Sequence, residues 1–304
     1  MSSVAAIEAG TLVSTFLVGA CTLQAVAYFS KFPEDRLFVK ILAAFLCLVL
    51  LGYTIAIAHF HYVFTINSSQ GAWDMVYSPV SIDVASIFST IISAVVQAFL
   101  TDRMRRFTKL HHFAKVLWFL IFFNFVRGCF ISATSFNHTL ADYNHHFRWL
   151  AVTGRLLDVV IDIVISATLS WSLFRQRNLA FRRTTRLIDR IIMVTINTGT
   201  LASAMAAATT ICYLTMPVRF VYVGLYVCTA PVYVNTFFAS LNIRTSLRRD
   251  VDADHIPSIR FAVSTLPLTV KSPSASSPSE SPVMHTVAAD REEDYRHNAL
   301  SMQS

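Results

Sequence analysis

The sequence predicts an all-α polytopic membrane protein, a seven-transmembrane-helix bundle with its N-terminus outside and its C-terminus cytoplasmic. Three observations predict it. Of 304 residues, 54% are hydrophobic and only 14% charged, too little polar surface to enclose so large an apolar fraction in water. Apolar runs long enough to cross a bilayer recur from about Ala9 to Leu241. Between them, Lys and Arg fall almost entirely on alternate connections.

A hydrocarbon core about 30 Å thick needs about 20 helical residues at about 1.5 Å each. Runs near 9–30, 37–64, 79–100, 113–136, 148–174, 190–214 and 217–241 meet that length. The first is preceded by Glu8 with no basic residue, and is longer than a signal-peptide core, so it reads as an uncleaved span after a short outer segment, 1–8. The first connection has Lys31 and Arg36, the third Arg103, Arg105, Arg106 and Lys109, and the fifth Arg175, Arg177, Arg182, Arg183 and Arg186. These loops are assigned to the cytoplasm. The second connection has no Lys or Arg, and the fourth and sixth have only Arg148 and Arg219 at their edges. The two Asn-x-Ser/Thr sequons, at Asn67 and Asn137, fall on this outer side and are candidate N-glycosylation acceptors. The seven-helix domain is assigned to 9–249. Residues 250–304, rich in Ser and Pro, are expected to be a disordered cytoplasmic tail, where Ser272, Ser277 and Ser281 precede Pro.

Charge and motif content narrow the chemistry. The net charge of +7 sits in short clusters at helix ends and not on one basic face, so nucleic acid is not an expected partner. Partners are expected to be the lipid bilayer and cytoplasmic proteins meeting the inner loops and tail; the ligand is unknown. All five cysteines lie inside apolar runs, which argues against a disulfide framework. His59, His61, His138, His145 and His146 lie toward the outer side without metal-ligand spacing. No metal, cofactor or catalytic residue is assigned.

The fifth run carries Arg155, Asp158 and Asp162, with Ser166 and Ser170 continuing at helical spacing, so one face of that helix is polar. Three central charges cost about 7 to 10 kcal/mol on insertion, against about 4 to 8 kcal/mol returned by the apolar residues. Neighbouring helices must therefore shield the stripe. Arg127 in the fourth run lies at matching depth and balances the charges. Arg127, Arg155, Asp158 and Asp162 form the candidate intramembrane site, either a ligand or proton site or an ion-pair cluster fixing helix register. In the sixth run Gly199, Ser203 and Ala207 make a small-residue face. In the seventh, Pro231 must leave the Val227 carbonyl without its helical donor.

Asp102-Arg103-Met104 resembles the Asp-Arg-Tyr triplet of rhodopsin-like receptors but lacks the Tyr, and reads as a basic helix end. Phe32-Pro-Glu-Asp-Arg36, Thr185-Arg-Leu-Ile-Asp-Arg190 leading to Asn197-Thr-Gly199, and Tyr233-Val-Asn235 through Asn242-Ile-Arg244 together resemble a family of fungal, chiefly basidiomycete, seven-span proteins catalogued as domain of unknown function 6534. The resemblance covers nearly the whole membrane region and implies fungal origin and a shared helical fold. It carries no established ligand, so Asn197, Asn235, Asn242 and Arg244 are family-motif positions only. The function expected is receptor-like or sensory and non-enzymatic, in the plasma membrane or another secretory-pathway membrane. The alternatives are a small-solute or proton-coupled transporter using the fourth and fifth helices, and third a membrane-embedded lipid enzyme.

Overall fold

In hydrocarbon, a chain must satisfy its backbone N–H and C=O groups within its own segment, so long apolar runs become helices. The structure, a computed structural model, describes residues 2–69, 80–108, 110–135, 148–177, 182–216 and 221–243. These form α1 (Ser2–Lys31), α2 (Leu37–Ser69), α3 (Val80–Thr108), α4 (His111–Ser135), α5 (Arg148–Arg177) and α6 (Arg182–Thr215). The last, α7 (Val221–Ile243), begins with Val221–Val227, turns at Cys228 and resumes as helix. No strand occurs among the described residues.

Six helices, α1 to α5 and α7, are long and apolar enough to cross a membrane. Their outward faces carry large apolar side chains such as Phe16, Leu48, Phe119, Phe122, Ile163 and Trp171, as expected where lipid replaces water. Several helices run past the expected hydrocarbon limits. Residues 2–8, expected as a short leading segment, are the first turns of α1, and Ile7 is buried among the other helices. The helix α3 continues to Thr108 because Asp102 pairs with Arg105 at 2.7 Å and Arg106 at 2.6 Å, so the charged end stays helical. The expected tail, Asn137 and Arg244 lie outside the described residues; of Asn67 and Asn197 only the backbone is described, as helix.

Each helix packs on its neighbour in sequence, α7 closes the ring against α1, and α3 also contacts α5. The core runs through Tyr28, Leu46, Tyr53, Ile92, Phe237 and Phe238, with a second cluster at Met104, Leu117, Ile121, Ile161 and Ile165. No large apolar side chain of α7 is exposed among the described residues, and on α3 only Val80 and Phe107 near its ends are. The helix most enclosed is therefore α7, and the polar stripe of α5 does not make α5 the innermost helix. The fifth helix turns that stripe inward and Leu156, Val160 and Ile163 outward.

Helix directions follow from paired contacts. The Cys228 thiol contacts the Gly10 carbonyl at 3.3 Å, the Asn235 amide donates to the Leu17 carbonyl at 3.2 Å, and the Asn242 amide donates to the Gln24 carbonyl at 2.9 Å. Both helices advance by the same seven-residue step, so α1 and α7 are parallel. Gly10 and Gly224 meet backbone to backbone at one end of this seam, where a Cβ on either would strike the other helix. By the same reasoning α3 and α5 are parallel, through Gln97 with Asp162 and Phe107 with Ser172, whereas α4 is antiparallel to both.

Pro231 acts as its chemistry requires. The Val227 carbonyl it deprives of a donor accepts the Ser14 hydroxyl at 3.0 Å and the Tyr53 hydroxyl at 2.8 Å. Two helices thereby dock on the break in a third.

Candidate ligand cavity and its polar floor

At the end of the bundle where α1, α3, α5 and α7 begin and α2, α4 and α6 end, the helices surround a cavity of about 260 Å³. Its walls mix hydroxyls with aromatic rings. Ser86, Thr90, Ser132 and Thr210 stand among the first, and Phe60, Phe64, Tyr213, Tyr222 and Tyr226 among the second. The volume lies just below the usual range of about 300–1,000 Å³ for small-molecule sites. Two glycine-to-side-chain contacts shape one wall: Gly128 lies against Thr90, and Gly154 against the Arg127 guanidinium.

The polar stripe of α5 forms the floor. Arg155 lies over the Tyr226 ring, 4.4 Å from its centre, a cation–π contact made where water is scarce. Arg127 donates from Nε to Asn124 Oδ1 at 2.9 Å and from Nη1 to the Leu150 carbonyl at 3.0 Å. Asn124 in turn donates from Nδ2 to Asp158 Oδ1 at 2.6 Å, so the cation of α4 reaches the carboxylate of α5 through an amide. Below this level Gln97, fully enclosed, donates to Asp162 Oδ1 at 3.1 Å and approaches Asp158 Oδ1 at 3.5 Å. The Tyr233 hydroxyl completes the set, donating to Asp162 Oδ2 at 2.6 Å. Arg127, Arg155, Asp158 and Tyr233 line the cavity, whereas Asp162 lies beneath it.

The four charged residues singled out in the sequence are thus brought together, but Gln97, Asn124, Tyr226 and Tyr233 are needed to connect them. Polar amides within apolar runs are the signal that could have found the first two. Buried polar groups must find partners, and amides bridging charged groups meet that requirement without stacking like charges.

Two family-motif residues do something else. Asn235 also accepts from Gln24 Nε2 at 3.1 Å and, with Asn242, lies on the α1–α7 seam away from the cavity. Gly199, Ser203 and the buried Ala202 and Ala206 make the small face of α6, where Gly199 fits over Ser166 of the α5 stripe. At the opposite end of the bundle, Arg103 of the Asp-Arg-Met triplet donates to Ser240. All five cysteines are free, and no group of three or more His, Cys, Asp or Glu side chains fit to hold a metal occurs among the described residues.

Residues 158–246 match the model of a family of unknown function, DUF6534, the family the sequence motifs resemble. The matched segment starts at Asp158 and includes Asp162, Tyr233, Asn235 and Asn242, while Arg127 and Arg155 precede it. No curated protein and no solved structure matches the chain.

Proposed function

We propose that this chain, whose C-terminal helices match DUF6534, is a seven-span receptor-like membrane protein that takes a small molecule into its outer cavity and signals through its cytoplasmic ends. The observation that carries the reading is the asymmetry of the bundle. One half holds a cavity with a charged floor, and the other is filled by Phe99, Met104, Phe237, Phe238 and Leu241. A ligand site with a packed base suits signal transfer along the parallel helices.

The seventh span rests on parity. Consecutive crossings alternate in direction, so parallel first and last spans require an odd number in total. With α2 to α5 crossing between them, α6, a helix of 34 residues, supplies the fifth intervening crossing. The basic residues at the ends of α1, α3 and α5 support a cytoplasmic packed half, with the cavity on the outer side.

The test uses a chain with its native cysteines replaced and a single Val152→Cys at the cavity wall. A membrane-impermeant thiol reagent added to intact cells is expected to label it, and the purified chain in liposomes is expected to move no solute. Labelling only after permeabilisation would overturn the outer-cavity reading. Solute flux that Asp158→Asn abolishes would favour the transporter, which the buried carboxylate pair on Gln97 otherwise recommends.

A further inference from the structure

We infer that the cavity binds a zwitterionic small molecule of about dipeptide length, its amine on Asp83 and its carboxylate on Arg155. The inference rests on the outer-cavity reading above and adds the chemical class of the ligand.

Two groups in the cavity wall ask for opposite charges. Asp83 is 6% exposed; Ser135 hydrogen-bonds its carboxylate, but its Oδ2 has no partner among the described residues. A carboxylate oxygen held out of water with no donor costs free energy until a donor arrives, and a cationic amine supplies the strongest one. Arg155 presents the reverse. Its guanidinium carbon lies 4.4 Å from the Tyr226 ring centre and, among the described residues, no salt bridge or hydrogen bond takes its N–H edge, which is left for an acceptor. A carboxylate is the acceptor whose geometry matches that edge in two parallel bonds.

Spacing selects length. Thr90 lies seven residues beyond Asp83 on α3, about 10 Å along the axis at about 1.5 Å per residue. Thr90 touches Gly128, and Arg127 beside it packs on Gly154, the residue before Arg155, so Arg155 stands near that same level. The two side chains shorten the gap they must bridge. An extended chain covers about 3.3–3.6 Å per residue, so a dipeptide, or at most a tripeptide, spans the remainder. A free α-amino acid, with both charges on one carbon, is too short to engage both. Between the two anchors the hydroxyl oxygens of Ser86, Ser132 and Thr90, whose protons already go to one another or to backbone carbonyls, can accept from the peptide N–H, and Ile131, Phe60 and Tyr222 can receive apolar side chains.

The test is a thermal-shift and calorimetric titration of the purified full chain in nanodiscs. The probes are dipeptides of apolar, polar and charged side chains, the same dipeptides N-acetylated or C-amidated, and free amino acids. At least one free dipeptide is expected to bind, with blocking either end weakening it tenfold or more and free amino acids weaker still. Asp83→Asn should erase the preference for a free amine, and Arg155→Gln that for a free carboxylate. The comparison of blocked with free ligands on the unaltered chain stands even if a variant fails to fold. No binding by any dipeptide, equal binding by the blocked forms, or tighter binding by free amino acids would overturn the assignment. If neutral probes alone protect Val152→Cys from outside labelling, the ligand class fails and the receptor reading survives; if labelling comes only from the cytoplasmic side, that reading fails instead.

Discussion

Asp162 is the residue on which the polar interior turns. Its two oxygens take hydrogen bonds from Gln97 on α3 and Tyr233 on α7, so one carboxylate ties three helices together. Asp162→Asn keeps an acceptor and the side-chain shape, whereas Asp162→Leu strands a buried amide and a buried hydroxyl. Leaving such groups unpaired costs about 1–3 kcal/mol each. The Leu variant is therefore expected to melt well below the Asn variant, measured by thermal denaturation in detergent; equal melting would show that the bonds carry no net stability. At the α1–α7 seam the expectation is smaller, since hydrogen bonds between membrane helices average about 0.6 kcal/mol and reach about 1.7. Gln24→Leu and Asn235→Leu should each lower stability by about that much, and the double variant by less than the sum, because the two share a bond. Additive losses would count against the pairing. At this scale the sequence was readable for charge and not for amides or phenols. Arg155 and Asp158 stand out because a charge in an apolar run is costly, while Gln97, Asn124 and Tyr233 depress hydropathy little and gain meaning only when packing sets their register.

The kink in α7 shows the element scale most directly. The sequence located the freed Val227 carbonyl, because proline removes a donor at a fixed distance along its own helix. It could not name Ser14 and Tyr53 as the replacements, since these come from helices far away in the chain. Each unsatisfied backbone group in hydrocarbon costs several kcal/mol. The pair Ser14→Ala with Tyr53→Phe is thus expected to lower the yield of folded protein strongly. Adding Pro231→Ala should restore much of it by returning the helical donor to Val227. If the triple variant folds no better than the double, as read by size-exclusion chromatography, the account of the kink is wrong. The same limit explains α5, whose stripe announced an inward face but not that α3 and α7 are the more enclosed helices.

For the whole molecule, the all-helical membrane architecture was legible from run length, and the proposed span number and sidedness rest on run length and basic loops, signals that depend only on local composition. The cavity does not, because it is formed where seven helices diverge, and no one of them carries its signature. The parallel seam between α1 and α7 links the two levels, since a parallel first and last span is compatible only with an odd count. Epitope tags at the two termini of one chain test that claim most directly. In intact cells the N-terminal tag is expected to bind antibody and the C-terminal tag to do so only after permeabilisation; both tags on the same side would contradict seven spans, and with them the outer cavity.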